Sequence, residues 1–178
     1  PYDLSNATQD ADDGINWSTD YGGEGGSDSS HRPHGMRFNN DGTKMFLVDV
    51  NGTVGVVEYN LSTPYLPGSA TFGNFFAITE NSFEIQDIDF DDDGTRMYVI
   101  ETRSGRASSD KIYAYKLSTG FDTSTATFAG SIANFFDAAG GDGGPGGMHF
   151  SKDGMKFYQV SFVAVSYTHL TLPTMVQV

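Results

Sequence analysis

The chain has 178 residues, and its 23 acidic residues outnumber its 10 lysines and arginines, which gives a formal net charge of −13. A domain this acidic repels nucleic-acid phosphates and anionic membrane surfaces, so we expect no nucleic-acid partner and no membrane insertion. The absence of cysteine excludes disulfides and thiolate metal sites.

The first 21 residues contain the end of a repeat. The segment Tyr2–Ser5 matches a motif that recurs twice further along the chain, and residues 15–21 are typical of a strand that follows it. We therefore expect a partial repeat at 1–21, of which the chain carries the last two strands.

An Asp-Gly turn recurs three times along the chain. It contains Gly42, Gly94 and Gly154, which lie 52 and 60 residues apart. Glycine accepts the positive φ of a tight hairpin turn, and the aspartate before it tolerates the same region. A repeat of this length predicts an array of one supersecondary unit, and the changing spacing indicates loops of variable length. Each turn is preceded by a predicted strand that ends in phenylalanine, at 33–38, 85–90 and 145–150.

Three further strand-like runs complete each repeat. The second run is rich in aromatic and β-branched residues, the third carries a Tyr-x-Leu-Ser-Thr motif, and the fourth ends in Phe-Phe. These runs are predicted at 44–50, 54–61 and 70–78, then at 96–101, 111–117 and 126–136, and the second run returns at 156–162.

Four hairpin-linked antiparallel strands per repeat are the blade of a β-propeller. We therefore predict an all-β fold, a fragment of a β-propeller, with complete four-stranded blades at 33–78 and 85–136 and a partial blade at 145–162 beside the one at 1–21. A closed propeller typically needs four to eight blades. We expect the remaining blades of the parent chain to be the partners of this incomplete propeller.

The last residues do not follow the repeat. Residues 165–174 read Val-Ser-Tyr-Thr-His-Leu-Thr-Leu-Pro-Thr, which resembles the translation of a transposon-end sequencing adapter. We interpret 165–178 as a non-native artefact tail and limit the propeller to 1–164. The alternative is a divergent edge strand.

The repeat resembles that of a known family. The runs Asn40–Asp49 and Val57–Thr63 are similar to the repeats of bacterial and phage propeller proteins, which typically read DGTKMYVVD and VYEYDLSTPWDISTATY. Those repeats are in turn similar to YVTN and lactonase-like seven-bladed propellers. The resemblance spans residues 2–162 and implies the fold, but it implies no activity because one propeller fold hosts many functions.

The main functional expectation is a non-catalytic interaction or structural module of a secreted, cell-surface or virion-associated protein. Such a module would bind a protein or a glycan through loops on one face of the disc, because binding residues concentrate on loops. The candidate contact residues in those loops are His31, Arg32, Arg103, Arg106 and Asp142. One alternative is a purely architectural repeat in an adhesin or tail fibre.

A second alternative is a lactonase-like or calcium-dependent hydrolase with its site in the central channel. First strands line that channel, and the channel-lining candidates are His34, Gln86 and Asp87. The resemblance implies that such an enzyme would hold calcium or a general base through carboxylates from several blades. Asp87 alone qualifies on this chain, so we expect no catalytic residue here and regard an enzyme as the less favoured alternative.

Three aspartates are spaced as the first ligands of a calcium loop. They are Asp89, Asp91 and Asp93, and a glycine follows them. The acidic residue that should close an EF-hand at its twelfth position is replaced by Ile100, and the other two repeats have Arg and His in place of Asp89. We interpret the three aspartates as residues of a hairpin and expect no metal or cofactor, with calcium as the open alternative.

Overall fold

The computed structural model describes residues 15, 33–49, 54–80, 84–102, 110–133, 145–151, 156–161 and 170–171. None of these residues is α-helical, and the described part contains no helix that could span a membrane. Short 3-10 turns lie at Pro67–Ser69 and Thr123–Thr125. The strands are β1 (Pro33–Phe38), β2 (Lys44–Asp49), β3 (Gly55–Leu61), β4 (Ala70–Ala77), β5 (Glu84–Phe90), β6 (Arg96–Thr102), β7 (Lys111–Leu117), β8 (Ala126–Ala133), β9 (Pro145–Phe150), β10 (Lys156–Ser161) and β11 (Leu170–Thr171).

The strands form antiparallel meanders in chain order. One four-stranded sheet has the order β1-β2-β3-β4 and another has the order β5-β6-β7-β8, while β9 and β10 begin a third sheet. The all-β prediction of two complete four-stranded blades followed by a partial one is therefore confirmed. Predicted and observed strand bounds differ by at most one residue where both are described.

Both ends of the chain are described only in part. Ile15 packs against a cluster that contains Met45 and Val57, and the rest of the partial blade at 1–21 lies outside the described residues. At the other end, β11 pairs with β10 through Lys156 and Thr171. These two residues of β11 belong to the segment 165–178, whose interpretation as a non-native tail stays a prediction.

The blades stack side by side around their first strands, because β1 lies against β5 and β5 lies against β9. The same aromatic contact recurs at both blade junctions. Phe46 packs on Phe90 with ring centroids 4.6 Å apart, and Tyr98 packs on Phe150 at 4.0 Å. Such pairs add about 0.5–1.5 kcal/mol to the burial of their area. These equivalent aromatic positions therefore pack in the core between neighbouring blades.

The two Asp-Gly turns that the structure describes, at Gly42 and Gly94, are each closed by an aromatic residue that could not be identified from the sequence. Gly42 and Gly94 have φ of 72° and 70°, as the turn requires. Tyr65 and Phe121 also have positive φ, and their backbone N–H groups donate to the carbonyl oxygens of Gly42 and Gly94 at 2.9 and 3.0 Å. Their rings cover the glycines so closely that an added Cβ would lie 2.3–2.4 Å from a ring carbon. Only glycine fits at these two positions, because the backbone has a positive φ and the aromatic ring leaves no room for a Cβ atom.

A buried ion pair joins the outer part of the first two blades. Glu58 on β3 is 4% exposed and accepts hydrogen bonds from the Lys44 Nζ and from the backbone N–H and hydroxyl of Thr123, the last two at 2.8 and 2.7 Å. Lys44 Nζ also donates to the carbonyl of Phe121 at 2.8 Å. A buried carboxylate is tolerated when paired in this way. The matching residue of the second blade is Ala114, so this contact is specific to one junction.

Candidate functional site

The first strands of three blades surround a concave surface with a cavity of about 430 Å³. Every second side chain of a strand points to the same side, so matching positions of β1, β5 and β9 converge there. All three channel-lining candidates of the sequence analysis contribute to this surface. Its lining residues are His34, Gly35, Met36, Arg37, Gln86, Asp87 and Gly146.

His34 and Gln86 form a hydrogen-bonded pair across two blades. They occupy the same position of their repeats, and Nδ1 of His34 lies 2.9 Å from Oε1 of Gln86. An amide oxygen only accepts, so Nδ1 is the donor. In the neutral imidazole, Nε2 then carries the lone pair. His34 is exposed whereas Gln86 is 8% exposed, so a buried amide orients an accessible imidazole.

Arg37 forms the second feature of the site, a clamp that reaches across all three blades. Its Nη2 donates to Asp87 Oδ2 at 3.2 Å and to the carbonyl of Met148 at 2.7 Å, and its Nε donates to Asp89 Oδ1 at 3.3 Å. A further N–H, on Nη1, donates to the Met36 carbonyl at 2.9 Å. The Arg37 side chain is 31% exposed, while those of Asp87 and Asp89 are 8% and 9% exposed. The guanidinium therefore covers two buried carboxylates.

The same two carboxylates also hold the backbone of β9. The N–H of Met148 donates to Asp87 Oδ2 at 2.8 Å, and the N–H of Phe150 donates to Asp89 Oδ2 at 2.7 Å. The exposed His149 lies 3.1 Å from Asp89 through its Nδ1. Side chains of one blade thus satisfy main-chain donors at the edge of the next.

A glycine makes room for this arrangement in β1. A Cβ on Gly35 would lie 2.1 Å from Asp87 Oδ1 and 2.6 Å from the Asp87 Cα. Backbone and side chain therefore approach more closely than any other residue type would allow. The first strands of the first two blades meet at this point, which brings His34 and Arg37 within reach of β5.

Burial raises the pKa of the Asp87 carboxyl, while the bonds from Met148 and the charge of Arg37 oppose that rise. A carboxyl of raised pKa beside a concave surface is a candidate for proton transfer. Its oxygens, however, are already engaged, since Oδ1 accepts from the N–H of Ile88 at 2.9 Å and Oδ2 accepts from Met148 and Arg37. Asp87 therefore serves mainly to fix Arg37 and β9.

The three aspartates of the calcium-like pattern lie in two separate networks. Asp89 belongs to the clamp, whereas Asp91 and Asp93 close the Asp-Gly turn. Asp91 Oδ1 accepts from the N–H of Arg96 at 2.9 Å, and Asp93 Oδ1 accepts from the N–H and hydroxyl of Thr95 at 3.0 and 2.6 Å. The bonds from Thr95 lower the pKa of Asp93, and burial raises that of Asp91.

Two further groups of residues were candidates on the sequence: possible metal ligands and residues of the face loops. Within the described ranges, no group of three or more His, Asp or Glu side chains is arranged to hold a metal ion. The face-loop candidates His31, Arg32, Arg103, Arg106 and Asp142 lie outside the described residues.

Arg37 is the site residue that sequence reasoning missed. The signal was present in the repeat comparison, because Arg37 and Asp89 occupy the same position in neighbouring blades and carry opposite charges. Adjacent first strands bring equal positions close together, so opposite charges at one repeat position predict an ion pair between blades.

The arrangement of blades matches solved structures. A candidate 6-phosphogluconolactonase from Bacteroides fragilis has a TM-score of 0.52 and 19% identity, and the match covers 71% of this chain and 31% of that one. The periplasmic gluconolactonase of Pseudomonas aeruginosa has a TM-score of 0.53 and 17% identity over 81% of this chain and 36% of that one. A protein from Lactobacillus plantarum has a TM-score of 0.55 and 18% identity over 79% and 40%. The fold is that of a β-propeller.

At these identities the likeness shows the fold, and this chain spans 31–40% of the length of those three structures. No protein-family model and no curated protein matches the sequence. The structural neighbours are lactonase-like propeller proteins, which agrees with the resemblance seen in the repeats.

The main functional expectation is therefore corrected. A non-catalytic module was expected, but the solved structures that resemble this chain include proteins described as gluconolactonase or candidate 6-phosphogluconolactonases from three species. The lactonase-like alternative therefore replaces the non-catalytic module as the interpretation to be developed as a proposal. The expectation of a non-catalytic module rested on the single channel carboxylate, Asp87. It did not consider that His34, oriented by Gln86, could act as a base.

Proposed function

We propose that this chain is part of a lactonase-like hydrolase that opens the cyclic ester of a sugar lactone at the concave surface of the first strands. Two observations support the proposal. The fold is shared with proteins described as gluconolactonases and 6-phosphogluconolactonases. The surface also presents the His34–Gln86 pair and the Arg37 clamp in one cavity.

His34 is the proposed general base. Because the Nδ1–H group of His34 donates a hydrogen bond to Oε1 of Gln86, Nε2 is left to accept a proton from water. The resulting hydroxide attacks the lactone carbonyl, and the tetrahedral intermediate collapses with cleavage of the ring C–O bond. The imidazolium returns its proton to the leaving ring oxygen, so that lactone and water become a hydroxy acid. Gln86 acts as a positioning residue, since its oxygen also stabilises the imidazolium.

Arg37 is the proposed donor to the lactone carbonyl. A guanidinium has five N–H groups, and the described contacts of Arg37 occupy four of them, two on Nη2, one on Nε and one on Nη1. The remaining Nη1 hydrogen would stabilise the negative charge that develops on the carbonyl oxygen. Asp87 and Asp89 hold the group in place, so little reorganisation is needed when that charge forms.

The decisive experiment measures hydrolysis of glucono-δ-lactone by the complete propeller that contains this segment, with the spontaneous rate subtracted. We expect His34→Ala to lower kcat/KM by about 10²–10⁴, the usual contribution of a general base, and added imidazole to restore part of it. Asp93→Ala is the control, because Asp93 lies in the Asp-Gly turn and is not among the lining residues. Equal rates for His34→Ala and the unaltered protein would refute the assignment of the base.

Two related points belong to the proposal. Chelation followed by addition of calcium tests the calcium-dependent alternative, in which activity would be lost and then regained.

We also propose that the parent protein acts outside the cytoplasm, supported by the periplasmic location of the Pseudomonas aeruginosa neighbour. Fractionation of cells that express the full-length protein tests this location.

A further inference from the structure

We propose that the site selects uncharged sugar lactones and discriminates against phosphorylated ones, because the Asp87 and Asp89 carboxylates hold the charge and the N–H groups of Arg37. This inference rests on the proposed lactonase function and adds its substrate class. The names of the structural neighbours refer to an unphosphorylated lactone in one case and to a phosphorylated lactone in another, so the fold alone does not indicate which of the two this site would accept.

The first argument is the local charge. Arg37 is the only Lys or Arg among the described residues that line the cavity. It lies 3.2 Å from Asp87 and 3.3 Å from Asp89, so one positive charge faces two negative ones. A phosphate monoester carries about −1.5 to −2 charges at pH 7. The attraction of Arg37 for such a group is offset by both carboxylates, which lie in a partly buried setting where screening is weak.

The second argument is the geometry of the donors. Arginine recognises phosphate through two parallel N–H groups on one edge of its guanidinium. Both Nη2 hydrogens of Arg37 are used by Asp87 and Met148, and Nε is used by Asp89. One Nη1 hydrogen is left, which suits a single carbonyl oxygen. The clamp thus leaves no two-pronged edge for a phosphate.

The third argument is that this clamp is built into the scaffold. Both carboxylates also accept from main-chain N–H groups of β9 at 2.7–2.8 Å, so they cannot turn away from Arg37 without breaking these bonds. A phosphorylated substrate that drew Arg37 away would leave both buried carboxylates without their positive partner. The selectivity is therefore preorganised.

The test compares glucono-δ-lactone with its 6-phosphate as substrates of the complete propeller. We expect kcat/KM for the uncharged lactone to be at least tenfold higher. Asp87→Asn and Asp89→Asn each remove one charge while leaving an amide oxygen to accept from β9. Each variant should shift the preference toward the phosphorylated lactone by about fivefold or more. Asp93→Asn is the control, since it removes an equal charge from the Asp-Gly turn and should leave the preference unchanged.

A second measurement needs no variant and guards against misfolded ones. With glucono-δ-lactone as the substrate, 6-phosphogluconate should inhibit the unaltered protein at least tenfold more weakly than gluconate does. Preferred hydrolysis of the phosphorylated lactone, or stronger inhibition by 6-phosphogluconate, would overturn this inference while leaving the lactonase proposal intact. Hydrolysis of neither lactone would instead overturn the proposed function, and the inference with it.

Discussion

Replacing Gly94 by alanine should strongly destabilise the second complete blade. Gly94 has a φ of 70°, and an added Cβ would lie 2.3 Å from Cδ2 of Phe121. The ring cannot move away freely, because it packs on Phe90 with centroids 5.3 Å apart and lies 6.4 Å from Phe46 of the neighbouring blade. A change in one turn is thus transmitted to a blade junction.

The expected cost has two parts. A left-handed backbone costs an alanine about 1–2 kcal/mol relative to glycine. Overpacking costs a further ~1–3 kcal/mol, because the Phe121 ring must shift until an ordinary carbon contact is restored. Gly94→Ala should therefore lower the free energy of unfolding by about 2–5 kcal/mol. That is a large share of the total for a typical domain.

Urea denaturation of the protein measures this cost as a lower midpoint at an unchanged slope. Gly130→Ala shows the cost of backbone strain alone, since Gly130 has a φ of 148° and no atom within 4 Å of an added Cβ. The double variant Gly94→Ala with Phe121→Ala should lose less stability than the sum of the two single changes, because the clash is gone. Strict additivity would refute the role assigned to the ring.

Three further predictions concern the blade junctions. Glu58→Ala should lower the free energy of unfolding by about 3–5 kcal/mol, because the Lys44 ammonium group and Thr123 lose their buried acceptor. Replacement of a solvent-exposed glutamate by alanine should lower it much less. Tyr98→Ala should cost a similar ~3–5 kcal/mol through loss of the stack on Phe150, measured by thermal unfolding. Folding raises the pKa of the Asp87 carboxyl above its ordinary value of 3.8. Asp87 therefore stabilises the folded state below pH 3.8, and this contribution is lost as the pH rises through the raised pKa. The free energy of unfolding should therefore fall relative to Asp87→Asn as pH increases from about 4, and an opposite slope would contradict burial as the dominant effect.

The fold could be predicted because its information is local and repeated. The Asp-Gly turns at Gly42 and Gly94 adopt the positive φ that was expected of them, and the strands on either side pair as hairpins. Because the same strand and turn pattern recurs in each repeat, a pattern that is weak in one copy can be recognised from the others. The first strands of adjacent blades lie side by side, and His34, Gln86 and Asp87 line one surface, while their role in a central channel stays a prediction.

Among the contacts between blades, only those that join equivalent repeat positions, such as Arg37 with Asp89, could have been predicted from the repeat alignment. Arg37 reaches residues 50–111 positions away, and which atoms meet depends on the stagger between two sheets rather than on the periodicity of either. The same is true of Glu58 and Thr123, which are 65 positions apart. Repeat alignment shows which positions are equivalent, but a contact between blades joins positions that need not be equivalent.

The attachment of one blade to the next through Asp87 and Asp89 has a consequence for how this chain can diverge. Their acceptors on β5 engage peptide N–H groups at positions 148 and 150, and every amino acid except proline supplies that group. These two hydrogen bonds therefore survive any substitution except proline, although the Phe150 side chain supports the same junction separately through its stack on Tyr98. This part of the attachment between neighbouring blades depends on the main chain and not on the identity of the side chains.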